Sequence, residues 1–173
     1  MGPGTYLEID GRPAVRFERT YPHPIDRVWS AISEPDELRH WFPSAVEIDG
    51  RAGGAIEFSG DPNLVDSRGT VLVYEPPRRL AFTWGRDELH FELEPDGDGC
   101  RLTLTNVLDQ RNAAARDASG WSVCLGVLNR HLAGVTVGGP RASDAQVPPH
   151  ESYEDYVAAG LPSGAPFPGR DNT

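Results

Sequence analysis

The side chains best suited to chemistry in this chain are aromatic. Trp41 and Phe42 close a short helical pattern, Phe58, Phe82, Trp84 and Phe91 fall on the apolar side of alternating segments, and Trp121 heads a helical stripe. Such rings offer broad, rigid apolar faces, so the chemistry in view is recognition of a small apolar or aromatic molecule rather than bond making. Trp121, Leu125, Leu128 and Leu132 stand at i, i+4, i+7 and i+11, one stripe that serves either as core or as a cavity wall. Replacing Trp121 by Ala separates the two readings: a core role costs roughly 3 to 5 kcal/mol of stability, whereas a wall role costs ligand binding at near-normal stability. Asn106 shares a strand face with Leu102 and Leu104. It either orients a ligand by hydrogen bonds or ends its strand in solvent. The candidate ligand-binding set is therefore Trp41, Phe42, Phe58, Phe82, Trp84, Phe91, Asn106, Trp121, Leu125 and Leu128.

Other chemistries lack their residues. The histidines His23, His40, His90, His131 and His150 match no metal-ligand spacing. His90 alternates onto a wet face with Glu88 and Glu92, where nothing excludes water. Asp96-Gly97-Asp98 has too few acidic positions for a calcium loop and reads as a hairpin turn. No Lys occurs, which removes Schiff-base chemistry and the phosphate-cradling lysine. Gly53-Gly54 precedes a strand instead of opening a helix, so it signals a turn or bulge. Cys100 and Cys124 are expected to be reduced, with Cys124 buried on the helix and inert. No catalytic residue, metal site or cofactor is expected.

The elements that must position the rings follow from period and punctuation. Tyr6 to Ile9 and Ala14 to Tyr21 form a hairpin through Asp10-Gly11. Pro24 opens a short helix on Ile25, Val28, Trp29 and Ile32, and after Pro35 a second turn runs from Asp36 to Trp41. Ala45 to Ile48 and Ala55 to Phe58 are strands, with loop from Gly60 to Asn63. Gly69 to Tyr74, Arg79 to Trp84, Glu88 to Glu94 and Arg101 to Val107 are strands with short connections, so neighbours pair antiparallel. A long helix runs from Asp109, its expected cap, to Leu132, with Gly134 as the stop. Gly138 to Pro149 reads as linker, Ser152 to Ala159 as a last short helix, and Leu161 to Thr173 as disordered.

The 173 residues and 38% hydrophobic content fit one domain with its own core. The expected organisation is an N-terminal strand extension over residues 1–13, a helix-over-sheet domain over 14–134, and a linker and tail over 135–173. A formal charge of -10 opposes an electrostatic grip on nucleic acid. No apolar run approaches the roughly 20 residues of a membrane span, and no signal peptide is readable, so a cytoplasmic location is expected. Arginine in place of lysine, with abundant Ala, Gly and Pro, points to a bacterial origin.

Four blocks in order carry a family likeness: Pro24-Ile25-Asp26-Arg27-Val28-Trp29-Ser30-Ala31-Ile32; Glu34-Pro35-Asp36-Glu37-Leu38 with Trp41-Phe42; Glu75 to Trp84; and Gly120-Trp121 with Leu125 and Leu128. From Ala14 to Gly134 the chain resembles the START-like helix-grip superfamily, SRPBCC, in its AHSA-type branch, the homologues of the activator of heat-shock-protein-90 ATPase. The resemblance implies an α+β fold in which a curved antiparallel sheet of about seven strands grips a long C-terminal helix over a cavity. Two short helices follow the first long strand. It implies a ligand-binding or sensing protein first. The alternatives are an enzyme like the polyketide cyclases and aromatases, and a co-chaperone acting on a heat-shock-protein-90 ATPase. The co-chaperones similar to this domain carry an additional N-terminal domain, for which these residues leave no length.

Overall fold

The computed structural model of the chain describes residues 2–62 and 64–167. Eight strands form one antiparallel sheet: β1 (Thr5–Ile9), β2 (Arg12–Tyr21), β3 (Ala45–Ile48), β4 (Ala55–Ser59), β5 (Ser67–Glu75), β6 (Arg79–Trp84), β7 (Asp87–Asp96) and β8 (Gly99–Val107). Their spatial order is β1-β2-β8-β7-β6-β5-β4-β3. The strand beyond the about seven that the resemblance implies is β1, the N-terminal extension expected from the sequence, which hairpins onto β2 through Asp10 and Gly11. Both turn residues have positive φ, 51° and 80°, the geometry that lets a two-residue turn follow the sheet twist. Two more tight hairpins join β6 to β7, where Trp84 faces Asp87, and β7 to β8, where Asp96 faces Gly99.

The link that is not a hairpin sets the site. From β2 the chain crosses to the opposite edge strand β3 through helices α1 (Ile25–Ser33) and α2 (Pro35–Leu38). This crossing delivers Trp41 and Phe42 to the core, where both are buried. Strand alternation is as expected on β7: Leu89, Phe91 and Leu93 are buried, while His90, Glu92 and Glu94 face outward, and Glu88 pairs with Arg12 at 3.2 Å.

Helix α3 (Ala114–Leu132) lies against the inner face of the sheet. Asp109 does not cap it. Its backbone N–H donates to Asp87 Oδ1 at 2.9 Å, a 3₁₀ turn (Arg111–Ala113) intervenes, and the helix starts behind Ala113 with no side-chain cap. A carboxylate from the β6–β7 hairpin thus ties down the residue that local pattern assigns to capping. At the other end Gly134 takes φ 82°, and the Gly134 and Val135 amides donate back to the His131 and Arg130 carbonyls, closing the helix as expected.

The tail is more ordered than its composition implies. Residues 135–152 run without regular structure, and then Ser152 caps α4 (Tyr153–Ala158) with a reciprocal capping box through Asp155. The Tyr156 hydroxyl shares a hydrogen bond with Ser122 on α3 at 2.6 Å and accepts from the Gly4 amide at 2.9 Å. Arg19 and Glu151 meet beside them at 3.1 Å, largely buried. Residues 161–167, expected to be disordered, return along α3: the Ala115 amide donates to the Pro162 carbonyl and the Ala165 amide to that of Asn112. Short-range composition missed these long-range partners. The end of that expected segment, residues 168–173, and Asn63 of the expected loop lie outside the described residues. Helix α3 is consequently covered by sheet on one side and by tail on another, which buries Ala115 and Ser122 as well as Trp121 and Leu125.

Candidate ligand-binding site

The structure gathers most of the aromatic set into one packed cluster under α3. Phe42 is its hub, with ring centroids 6.1 Å from Phe58, 6.2 Å from Phe82, 5.6 Å from Trp84 and 5.8 Å from Trp121. Phe91 extends it to Phe82 at 6.0 Å and to Trp41 at 6.2 Å. These are edge, tilted and offset contacts in the range where aromatic pairs attract beyond their buried area. Trp41 is wholly buried and donates from Nε1 to the Ala31 carbonyl at 2.8 Å, pinning α1 to the turn after α2. Leu125 and Leu128 complete the packing from the helix. Between helix and sheet the rings fill the space that the resemblance assigns to a cavity.

Open volume lies beside this cluster, on the flank of the first half of α3. A groove of about 380 Å³ has Trp84 and Trp121 in its wall, so these two of the ten candidate residues face it. The helix contributes Arg116, Asp117, Ser119, Gly120, Val123 and Cys124. Opposite stand Pro43, from the chain after α2, and Asp61 and Leu64, from the β4–β5 connection. The tail closes the far side with Pro140, Arg141 and Phe167. Arg141 holds that wall together: its Nη1 donates to the Pro43 carbonyl at 2.7 Å and lies 3.5 Å from Asp61 Oδ2. Leu64, in that wall, and its neighbour Val65 are exposed.

A buried polar relay orients the indole. Asn106, with no solvent exposure, accepts from Trp121 Nε1 on Oδ1 at 3.0 Å and donates from Nδ2 to Asp87 Oδ2 at 3.0 Å and to the Val107 carbonyl at 3.3 Å. Its amide is spent on protein groups, so Asn106 acts by fixing Trp121. Burial pushes the Asp87 carboxyl above its ordinary value, against the lowering effect of the Asp109 amide, Asn106 and the Arg116 charge. Asp117 is 17% exposed, and Arg116 Nε donates to its Oδ1 at 2.7 Å. Burial raises its pKa too, the Arg116 hydrogen bond and charge oppose, and the Asp87 charge adds to the rise. The Cys124 thiol is pushed up to about 12 by burial, so it remains protonated and unreactive at neutral pH. Among the described residues, no group of three His, Cys, Asp or Glu side chains converges as a metal site.

Asp87, Asp117, Arg116, Gly120 and Arg141 were not among the sequence candidates. Asp117 was within reach of pattern reasoning, because it lies four residues before Trp121 and so on the same helical stripe. Asp87 opens β7 just after a hairpin turn and Arg141 lies in a linker; no local period marks either.

An antiparallel sheet holding a long C-terminal helix, with short helices inserted after the first long strand, defines a helix-grip domain of the SRPBCC class. The family described as Activator of Hsp90 ATPase homolog 1-like protein matches residues 22–133, and the chain belongs to it. No curated protein matches the chain. Among solved structures, CalU16 from Micromonospora echinospora is 27% identical with a TM-score of 0.69, over 88% of each chain. The protein encoded by BPP1335 from Bordetella parapertussis is 33% identical with a TM-score of 0.60, over 78% of this chain and 82% of that one. EF2215 from Enterococcus faecalis, 21% identical with a TM-score of 0.70 over 90% and 89%, shares the fold. No helix among the described residues is long and apolar enough to cross a membrane.

Proposed function

We propose that this protein binds a small, mainly apolar or aromatic molecule in the groove between the first half of α3, the β4–β5 connection and the tail. The observation that carries the reading is a wall in which Trp84 and Trp121 stand beside two Asp–Arg pairs, Asp117 with Arg116 and Asp61 with Arg141. A volume near 380 Å³ is of ligand size, and an apolar wall with a few placed polar groups is the usual composition of such sites. The relay through Asn106 holds Trp121 in position before anything binds, which lowers the ordering cost of association. Native mass spectrometry of freshly purified full chain is expected to show a co-purified small molecule that dissociates on activation. Bare protein in that experiment, together with unchanged tryptophan fluorescence on titration with planar aromatic probes, would contradict the reading.

A second reading, a cyclase- or aromatase-like enzyme, is favoured by one observation: Asp117 faces the groove with a raised pKa and an arginine on one oxygen. A carboxyl so placed can exchange a proton with a bound carbonyl compound. Incubating the chain with linear poly-β-ketone thioesters and analysing products by mass spectrometry discriminates: unaltered recovery supports a binder, loss of water or ring closure that Asp117→Asn abolishes supports the enzyme.

A further inference from the structure

Helix α3 contains two interior glycines, and they are placed differently. At Gly126 an added Cβ would approach Pro148 Cγ at 3.9 Å, because the tail lies over the helix there. At Gly120 an added Cβ would meet nothing within 4 Å. Neither packing nor a left-handed backbone requires glycine at 120, and a mid-helix glycine is less stable than alanine. What its missing side chain leaves is floor space, since Gly120 lies in the groove wall between Asp117, one turn earlier, and Trp121. Asp117 adds a directional element. Arg116 Nε holds Oδ1, and among the described residues no hydrogen bond reaches Oδ2. The long-range field of a chain with formal charge -10 also favours neutral or cationic ligands over anionic ones.

We propose that Gly120 and Asp117 determine what the groove accepts: a planar ring system laid over the bare backbone at Gly120 against Trp84 and Trp121, with an amine or hydroxyl on its edge donating to the open Asp117 oxygen. This rests on the groove being the ligand site, and it adds the shape and polarity of the ligand. Gly120 is a specificity-determining residue in this account because any side chain there occupies the ring's place. Asp117 selects donors over acceptors because a carboxylate offers only lone pairs.

The test uses the full chain and three matched probes: anthraquinone, 2-aminoanthraquinone and anthraquinone-2-carboxylate, titrated by tryptophan fluorescence. The amine is expected to bind about tenfold more tightly than the parent, as a hydrogen bond to a charged group does, and the carboxylate most weakly. Gly120→Leu is expected to weaken every probe by tenfold or more while the melting temperature holds. Gly120→Ala, which folds more readily, should raise the melting temperature and still weaken binding measurably. Asp117→Asn should bring the amine's affinity down to within about twofold of the parent's. If the wild type binds none of the probes, the groove reading itself falls. If it binds them but Gly120→Ala and Gly120→Leu bind as tightly, or Asp117→Asn keeps the amine preference, the groove reading survives and this inference is overturned.

Discussion

The two ends of α3 solve opposite problems with the same helix. Toward the sheet, its C-terminal half is closed. Leu125 and Leu128 press on rings that already fill one another's space, and His131 donates to Glu37 of α2, which also pairs with Arg27 at 3.3 Å. Its N-terminal half is open. There the stripe carries Asp117, Gly120 and Trp121, and the surrounding loops stand back to leave a groove. The closed end maximises contact and ties charge to partners. The open end also pairs its carboxyl, Asp117 with Arg116, but holds that largely desolvated pair beside empty volume, a placement that costs desolvation free energy.

The largest effect that should separate the two ends is truncation of a ring. Phe82→Ala, in the filled cluster, should cost about 3 to 5 kcal/mol in denaturant unfolding. Trp84→Ala, at the groove wall and only partly buried, should cost distinctly less and remove ligand binding. Equal losses would erase the distinction. Next in size is Trp121→Phe, which keeps an aromatic body but leaves Asn106 Oδ1 unpaired in a fully buried place. A loss of about 1 to 3 kcal/mol in denaturant unfolding is expected.

The ends should also differ in the sign of their pH dependence. Asp87 and Asp117 have folded-state pKa values above their ordinary 3.8, so the folded chain retains protons that the unfolded chain has released. Their contribution is fully present below 3.8 and declines as pH rises through the raised values. At Glu37 burial works upward, but the hydrogen bond from His131 and the Arg27 charge outweigh it and hold the carboxyl below its ordinary 4.5. Its contribution is present above 4.5 and lost as pH falls through the lowered value. Unfolding free energies measured between pH 3 and 8 should therefore lose part of their decline toward neutral pH in Asp117→Asn, and part of their decline toward acid in Glu37→Gln. The smallest effect is at Gly120→Ala, which should gain about 0.5 to 1 kcal/mol, whereas an unchanged or lowered stability would mean that packing explains the glycine.

How much of this was legible in the sequence depends on the range of the interaction. Strand alternation placed Leu89, Phe91 and Leu93 inside, Asp10-Gly11 gave a true hairpin, and Gly134 ended the helix, because each depends on residues a few positions apart. Asn106 could be turned inward by counting from Leu104, yet its partners Asp87 and Trp121 could not be named, since the register of β7 against β8 brings the first to it and the docking of α3 on the sheet brings the second. Aromatic content alone does not distinguish a ring that lines a cavity from one that fills it. Phe42 and Phe58 fill it, and Trp84 and Trp121 reach its edge, a difference decided by where the β4–β5 connection and the tail lie. The tail misled for a related reason. Gly- and Pro-rich sequence lowers local propensity, but backbone hydrogen bonds to Ala115 and Asn112 and the Tyr156–Ser122 contact hold it against α3 regardless.

The four tryptophans provide the most direct test of the central claim, because each carries one indole N–H that is separately visible by NMR. Two of them, Trp84 and Trp121, face the groove, while Trp41 is bonded to the Ala31 carbonyl in the closed core and Trp29 packs edge-on to Tyr74. Titrating the full ¹⁵N-labelled chain with 2-aminoanthraquinone should shift the indole resonances of Trp84 and Trp121 and leave those of Trp29 and Trp41 in place. Shifts centred on Trp29 or Trp41, or no shift in any of the four at saturating probe, would contradict a ligand site at the open end of α3.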